Sequence, residues 1–294
     1  MTQVLCIGSV LWDIIGRSAS HMKQGSDVPG RITRLPGGVA LNIAMTLKRF
    51  GVDPVLLSSI GRDAEGHALI TACEEMGIDC DHVYRSDDLP TDRYMAIEDA
   101  NGLIAAIADV HSLETTENNV IAPLISGPFG TPEAPFSGMI SLDGNLTQSL
   151  LENIAVSPLF AECDLCVAPA SPGKADRLLP LLIRGRALLY VNLEEAGLLC
   201  QTEYHTAAEA AQALLAKGAR RVLVTNGARP ACDAGQGESF VQTPPDVLVT
   251  RVTGAGDTFM AAHMAAELAG AARTDALHHA LEIAARYVSG DTLL

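Results

Sequence analysis

The chain has 294 residues, 48% of them hydrophobic, and its 20 basic and 35 acidic side chains leave a formal net charge of −15 at pH 7. This hydrophobic share is sufficient for a packed core and excludes a disordered chain. Because so much negative charge would repel a phosphate backbone, we expect no nucleic-acid partner.

None of the apolar runs reaches the roughly 18 to 20 residues that a membrane-spanning helix needs, so we expect no membrane partner. The amino terminus shows neither a basic leader nor a small-residue cleavage site. The seven cysteines are odd in number and scattered, which does not suggest a disulfide framework. These features predict a cytoplasmic protein.

Short apolar runs, each followed by a helical pattern, recur along the chain. The clearest are Val4 to Val10, Val55 to Ile60, Met139 to Leu142, Leu165 to Ala168, Leu188 to Val191 and Val222 to Thr225. Continuous apolar strands that alternate with helices are typical of a mostly parallel sheet covered on both faces. The pattern predicts a single α/β domain over residues 1–294.

Two stretches interrupt this rhythm. Residues 16–35 are polar and rich in turn-forming residues, and residues 92–108 alternate around Asn101 and Gly102, a strong hairpin signal. We therefore expect a small antiparallel β flap beside the main sheet.

Polar residues arrive where several of the predicted strands end. They are Asp13, Asp143 to Asn145, Asn192 and Thr225 to Gly227. Ligands of open parallel sheets bind beyond the carboxyl ends of the strands, so these residues predict one shared crevice. The alternative is that they are turn residues that merely end strands.

The segment Pro36–Asn42 opens a predicted helix that runs to Phe50. Gly37 and Gly38 leave the backbone bare, and Asn42 lies close enough to the start of the helix to reach a ligand packed against them. Paired glycines before a helix are common, so this motif has moderate specificity.

The segment Val252–Phe259 opens a second helix. Its small residues leave backbone N–H groups uncovered at a helix N-terminus, where the helix dipole favours phosphate oxygens. Asp257, beside these amides, could accept a proton from a hydroxyl that attacks a phosphoryl group. The alternative is a helix-capping aspartate after a glycine-rich turn.

In order, separation and total chain length, these two motifs resemble the two signatures of the ribokinase-like (PfkB) carbohydrate kinase family. The resemblance implies a ribokinase-like fold in which residues 16–35 and 92–108 form a lid over the substrate. It also implies ATP as phosphoryl donor, Mg²⁺ as cofactor and, because relatives often pair through their lids, a homodimer.

The resemblance also assigns roles to individual residues. Asp257 matches the catalytic base, and Gly254, Ala255 and Gly256 match the anion hole for the transferring phosphoryl group. The sugar site is matched by Asp13, Gly37, Gly38 and Asn42. On the nucleotide side Asn192 and Glu195 match an N-x-x-E element that organises Mg²⁺ through water, and Thr225 and Gly227 match a Thr-x-Gly element.

The chain departs from the family pattern at two positions. Pro230 replaces the second glycine of the extended Thr-x-Gly element, which leaves the local phosphate contacts open. Arg251 stands where many relatives have an acidic residue that helps to bind an activating potassium ion, so we expect no potassium activation.

Within the family, three stretches look like the pseudouridine kinase branch: Asp143 to Leu146, Ile104 to Val110 and Val167 to Ala175. This likeness implies transfer to the 5′-hydroxyl of free pseudouridine, with Tyr94 and Asp109 of the lid covering the base. It is also open that residues 171–174 only begin a surface helix and that Asp109 is a lid-edge charge.

Three other functions compete with this one. Another member of the family would act on ribose, adenosine or a related sugar, and a nucleoside sensor would bind without catalysis. A dinucleotide-dependent oxidoreductase would need G-x-G-x-x-G after the first strand, and the residues from Gly8 to Asp13 do not fit that pattern.

Overall fold

The computed structural model describes residues 2–291 and contains a large central β-sheet with a smaller sheet beside it. Within these residues the strands are β1 (Gln3–Ile7), β2 (Leu11–Arg17), β3 (Arg31–Gly37), β4 (Asp53–Leu57), β5 (Ser59–Gly61), β6 (Tyr84–Ser86), β7 (Arg93–Asp99), β8 (Gly102–Asp109), β9 (Met139–Asp143), β10 (Asp164–Ala168), β11 (Ala187–Asn192), β12 (Arg221–Asn226), β13 (Arg229–Gly235) and β14 (Glu238–Gln242).

The α-helices of the same residues are α1 (Val39–Arg49), α2 (Ala64–Glu75), α3 (His111–Thr115), α4 (Glu117–Val120), α5 (Ala122–Ile125), α6 (Gln148–Val156), α7 (Leu179–Ile183), α8 (Leu193–Cys200), α9 (Ala207–Ala216), α10 (Ala255–Leu268) and α11 (Arg273–Ser289). Short 3-10 helices cover Pro158–Phe160 and Pro172–Leu178. No helix among residues 2–291 has the length and apolarity needed to cross a membrane.

The central sheet has eight strands in the order β14-β13-β12-β11-β10-β9-β1-β4. The strands from β12 to β4 are parallel, and β13 and β14 add an antiparallel hairpin at one edge. This confirms the predicted α/β class and the mostly parallel sheet. The hairpin was not predicted, because a short polar hairpin after β12 lacks the apolar run that marks the other strands.

Side chains of the central strands alternate between two buried clusters, one on each face of the sheet. Leu5 and Ile7 of β1 belong to the cluster covered by helices α3 to α9, whereas Val4 and Cys6 belong to the cluster covered by α1, α2, α10 and α11. Because both faces are buried, both sets of positions are apolar, which is why these strands read as continuous apolar runs.

The smaller sheet, which we call the outer sheet, has four strands in the order β3-β2-β7-β8. The pairs β2/β3 and β7/β8 are antiparallel, the latter joined at the predicted Asn101 and Gly102 turn, but β2 pairs with β7 in parallel. The expected purely antiparallel flap is therefore a mixed sheet, because two hairpins join side by side.

The first apolar run contains one strand of the central sheet, which ends before the run does. It was predicted as one strand from Val4 to Val10, but β1 ends at Ile7 and the chain enters the outer sheet at Leu11. Asp13 consequently lies within β2 and not in a turn after the first strand, and residues 18–30 form the loop between β2 and β3. Hydropathy alone could not show this crossing, because both strands are apolar.

Helix α10 is held at its far end by buried polar contacts. His263 Nδ1 lies 2.9 Å from the Tyr190 hydroxyl, and Glu267 pairs with the Arg221 guanidinium at 2.6 Å. Burial, followed by the charge of Arg221, lowers the pKa of His263 to about 3, so this imidazole is neutral near pH 7. These contacts fix the direction of α10 and therefore the place of its first turn.

Candidate functional site

The two sequence motifs meet at the carboxyl edge of the central sheet. Helix α1 packs against α10, and the Asn42 amide Nδ2 donates a hydrogen bond to Asp257 Oδ2 at 2.8 Å. Both residues lie in the first turns of their helices, so the two helix N-termini point into one crevice. The structure thus places side by side two residues that are 215 positions apart in sequence.

Asp13 reaches the same crevice from the outer sheet. Its carboxyl group lies directly against Gly37, where the Cβ of any other residue would overlap Asp13 Oδ2. Gly38 then caps α1 without a side-chain hydrogen bond. The bare backbone before α1 is therefore needed for the close approach of Asp13, and four of the predicted sugar-site residues are brought together: Asp13, Gly37, Gly38 and Asn42.

A buried polar network lines the crevice behind these residues. Asp143 Oδ2 accepts hydrogen bonds from the Ser9 amide at 2.7 Å and from the Ser9 hydroxyl at 2.5 Å, and Asn145 Nδ2 donates to it at 3.2 Å. The Lys174 ammonium donates to Asn145 Oδ1, and Ser9 Oγ accepts the amide of Val39 at the start of α1. This chain of hydrogen bonds links Lys174 to the glycine loop, the Gly37–Gly38 segment before α1.

Burial raises the pKa values of two carboxyl groups of the crevice. Burial raises the pKa of Asp257 to about 7; the hydrogen bond from Asn42 opposes this shift, and the charges of Asp143 and Asp13 add to it. Burial also raises the pKa of Asp13 to about 6. A carboxyl group that titrates near neutral pH is suited to accept a proton from a hydroxyl.

The predicted nucleotide-side residues lie at the ends of the neighbouring strands. Asn192 ends β11 and pairs in register with Thr225 of β12, and Gly227 lies in the turn that follows β12. Asn192 also caps α8: its side chain accepts the Glu195 amide, and Glu195 Oε2 accepts the Asn192 amide, each at 2.8 Å. The N-x-x-E element is thus a capping box, a local function that the sequence analysis did not consider.

The capping box uses one carboxyl oxygen of Glu195 and leaves Oε1 outside it. Burial raises the pKa of Glu195 to about 7; the Asn192 amide opposes this shift, and the charges of Glu194 and Asp257 add to it. Residues 2–291 contain no group of three or more His, Cys, Asp or Glu side chains arranged to hold a metal ion. One carboxylate oxygen therefore fits a cation that keeps most of its water, as Mg²⁺ does.

The amides at the start of α10 only partly follow the prediction of an anion hole at Gly254, Ala255 and Gly256. The Ala255 N–H turns back to the Val252 carbonyl at 3.0 Å. The N–H groups of Gly254 and Gly256 donate to no residue in the described part of the chain. The tight turn before α10 thus uses the Ala255 amide, and the anion hole at these three residues stays a prediction.

The two predicted base contacts of the outer sheet are on opposite faces. Tyr94 is the register partner of Asp13, so both side chains are on the face toward the crevice, and the charge of Asp13 adds to burial in raising the Tyr94 pKa. Asp109 instead pairs with Arg93, one position away, which places it on the other face. The structure does not bring Asp109 to the face of the outer sheet that carries Asp13, because side chains alternate along a strand.

Two other residues at this site were missed by sequence reasoning. Ser9 binds Asp143, and its only sequence signal is a glycine-serine pair directly after the first strand. Tyr287, in α11, donates its hydroxyl to the Thr253 carbonyl at 2.8 Å. Nothing in the sequence near Tyr287 points to a site, because the contact is made between helices.

Comparisons with known proteins identify the family of the chain. The family model described as pfkB family carbohydrate kinase matches residues 1–290. A pseudouridine kinase from Escherichia coli is 27% identical over 269 residues, which cover 88% of this chain and 81% of that protein. A guanosine-inosine kinase from Exiguobacterium acetylicum is 25% identical over 301 aligned positions, covering 98% and 95% of the two chains.

Solved structures share the fold. The ribokinase of Arabidopsis thaliana, solved in complex with ribose and ATP, superposes with a TM-score of 0.76 at 21% identity. The superposition covers 98% of this chain and 92% of that protein. At this identity the likeness establishes the ribokinase-like architecture.

The raised pKa of Asp257 predicts a pH-dependent cost in stability. Between about pH 4 and pH 7 the folded carboxyl holds its proton while the unfolded one releases it, so stability falls as the pH rises through this window. Asp257→Asn removes this cost. We expect its melting temperature to exceed that of the wild type by several degrees at pH 8 and to match it at pH 4.

Thermal unfolding at both pH values checks this expectation, with Asp246→Asn, a change at an exposed carboxylate, as the matched control. An equal gain at pH 4 and pH 8 would contradict it.

Proposed function

Because the chain belongs to the pfkB family of carbohydrate kinases, we propose that it transfers the γ-phosphoryl group of ATP to the 5′-hydroxyl of free pseudouridine. Family membership makes the chain a kinase of a sugar or nucleoside hydroxyl. The observation that carries the proposal is the Asn42–Asp257 hydrogen bond beside Asp13, which places a proton acceptor between the first turns of the two helices. The choice of pseudouridine is supported by the similarity to pseudouridine kinases. It is also supported by the buried polar network that includes Asn145 and Lys174.

Asp257 acts as the general base in this proposal. It accepts the proton of the 5′-hydroxyl as that oxygen forms a bond to the γ-phosphorus and the bond to the leaving ADP breaks in line. A pKa of about 7 lets the carboxylate be deprotonated at neutral pH and still take a proton in the transition state.

The N-terminus of α10 holds the transferring group. The amides of Gly254 and Gly256, with the helix dipole behind them, face the γ-phosphoryl oxygens. Asn192, Thr225 and Gly227 line the nucleotide side, and Glu195 Oε1 would hold Mg²⁺ through water. Mg²⁺ bound there would neutralise charge on the β- and γ-phosphates.

The ribose lies between the glycine loop and the outer sheet. Asp13 accepts hydrogen bonds from ribose hydroxyls, Asn42 fixes the Asp257 carboxyl next to the 5′-position, and the Gly37–Gly38 backbone packs against the sugar. Two carboxyl groups with raised pKa values are thus placed one on each side of the sugar.

The base is recognised by the network behind the ribose. Pseudouridine offers two ring carbonyls as acceptors and one more ring N–H donor than uridine. The Lys174 ammonium donates to a carbonyl, Asn145 pairs with the adjacent edge, and Tyr94 covers the ring from the outer sheet. Asp109 has no part in this contact.

The outer sheet serves as the lid, with β2, β3, β7 and β8 replacing the expected bounds of 16–35 and 92–108. Closing it over the nucleoside excludes water from the transfer.

The cysteines are all free thiols, which supports a reducing cytoplasm as the place of the reaction.

A second copy of the chain covers the outer face of this lid. The face away from Asp13 carries rows of apolar side chains on adjacent strands, among them Ile14, Met95 and Ile107 in one row and Ile32 and Ile97 in the next. Ile32 is 79% exposed and Ile107 is 67% exposed. An apolar patch of this kind is suited to a two-fold interface between identical lids.

A phosphoryl-transfer screen tests the function. With Mg-ATP as donor and pseudouridine, uridine, adenosine, ribose and fructose 6-phosphate as acceptors, we expect the highest kcat/KM for pseudouridine, with a 5′-monophosphate as product identified by ³¹P NMR. Asp257→Asn should lower kcat by about 10²- to 10⁴-fold while nucleoside binding by calorimetry persists.

Two outcomes of this screen would overturn the proposal. A simple sugar ranked above pseudouridine would favour another carbohydrate kinase of the family. Tight nucleoside binding without ATP consumption for any acceptor would favour a sensor.

Lys174→Met removes the ammonium group and keeps a stem of similar length. We expect kcat/KM for pseudouridine to fall by about 10- to 100-fold, because a charge-assisted hydrogen bond to the base is lost, and kcat/KM for ribose to change little. Steady-state kinetics with both acceptors measures this, with Lys217→Met at an exposed position as control. An equal loss for ribose would show that Lys174 supports the fold and does not read the base.

Ile107→Glu places a charge in the centre of the proposed lid interface. We expect sedimentation equilibrium to show a dimer for the wild type and a monomer for this variant, because burying an unpaired carboxylate is costly. Val156→Glu, which adds the same charge at an exposed apolar position outside the outer sheet, should remain dimeric. A monomeric wild type would refute the interface.

A further inference from the structure

The loop that precedes α10 is tied to the end of the last helix, α11. The amides of Thr250 and Arg251 both donate to the Val288 carbonyl, at 2.8 and 3.2 Å. Arg251 Nε donates to the Tyr287 carbonyl at 2.8 Å. The loop that leads to the anion-binding turn is thus anchored on the carbonyl groups at the C-terminal end of α11.

Tyr287 continues this connection to the turn itself. Its hydroxyl donates to the Thr253 carbonyl at 2.8 Å, and the carbon of the Arg251 guanidinium lies 3.8 Å from the centre of its ring. The aromatic ring therefore lies between the arginine and the turn. Because Thr253 directly precedes Gly254, this hydrogen bond acts one residue away from the amides that face the phosphoryl group.

Gly254 packs directly beneath the phenol. It has a left-handed backbone with φ of 85°, and a Cβ at this position would lie 2.6 Å from Tyr287 Oη. Both the backbone angle and the space thus require glycine here. The phenol therefore restricts the space available to the turn at Gly254.

The charges around Tyr287 keep it a hydrogen-bond donor. Burial raises the pKa of its phenol; the charge of Arg251 opposes this, the charges of Asp257 and Asp13 add to it, and Arg49 opposes it more weakly. The phenol therefore keeps its proton at neutral pH. Arg251, for its part, places a cation at the C-terminal end of α11, where the helix dipole favours positive charge.

We infer that Arg251 and Tyr287 are positioning residues for phosphoryl transfer, which together hold the Thr253–Gly254 turn so that the first amides of α10 face the transferring group. This inference rests on the proposed function. Neither side chain needs to touch a substrate: Arg251 fixes the ring of Tyr287, and Tyr287 fixes the Thr253 carbonyl. Within the described residues, Asp13 and Asn42 on the sugar side make no hydrogen bond to either clamp residue.

Tyr287→Phe tests the clamp because it keeps the ring under Arg251 and removes only the hydroxyl. We expect kcat to fall about 10-fold with an unchanged KM for the nucleoside, since an interaction that counts mainly in the transition state is weakened. The melting temperature should stay within about 2 °C, since one hydrogen bond contributes little net stability.

Variants at Arg251 separate its charge from its shape. Arg251→Lys keeps the cation and loses the planar stack, so we expect it to retain more turnover than Arg251→Met. Tyr204→Phe and Arg184→Met are matched controls, because they make the same changes in side chain outside the clamp. Both controls should keep the wild-type kcat.

Binding of a non-hydrolysable ATP analogue gives a readout that does not depend on the acceptor. In calorimetric titrations Tyr287→Phe and Arg251→Met should bind the analogue several-fold more weakly than the wild type and bind adenosine equally well. Wild-type kcat and analogue affinity in Tyr287→Phe would overturn the inference, as would a loss of turnover explained by a lower melting temperature.

The two proposals fail in different ways. If the wild type phosphorylates no acceptor, the proposed function is wrong, and the clamp is still judged by the affinity for the analogue. If the wild type is active and the clamp variants equal it, only the clamp is wrong.

Discussion

The hydrogen bond from Asn42 to Asp257 joins the first turns of α1 and α10, and the rest of the site is arranged around it. It requires α1 to pack on α10 with both N-termini at the carboxyl edge of the parallel sheet. The same packing brings the glycine loop before α1 and the glycine turn before α10 to opposite sides of one crevice. A hydroxyl acceptor and a phosphoryl donor can then approach one carboxylate from two directions.

The crevice concentrates negative charge in a chain that is already acidic. Burial, with a smaller contribution from the charges of Asp143 and Asp13, raises the pKa of Asp257, and burial with the charges of Glu194 and Asp257 raises the pKa of Glu195. Protons therefore stabilise the empty site at low pH. The overall field of so acidic a chain repels a polyanion, so that only local dipoles or cations could offset the repulsion at this crevice.

The two sheets divide the work of the site. The central sheet and its helices are buried on both faces and hold Asp257 and Asn192 in fixed positions. The outer sheet contributes Asp13 and Tyr94 from one face and leaves its other face apolar and exposed. Because Asp13 lies in this sheet and contacts Gly37, the outer sheet and the loop before α1 form one side of the crevice together.

The sequence by itself determined the α/β class, six of the eight central strands, the Asn101–Gly102 turn and the two helix-opening motifs, because these depend on hydropathy period and on residues adjacent in the chain. Only the tertiary structure decided which of those residues meet. The strand register of the outer sheet places Asp13 beside Tyr94 on one face of that sheet and Asp109 on the opposite face.

In the turn before α10 the Ala255 amide donates to a backbone carbonyl, and the packing of α11 places Tyr287 against Gly254. Contacts of this kind join residues tens to hundreds of positions apart, and they depend on the path of the chain between them, which no local pattern encodes.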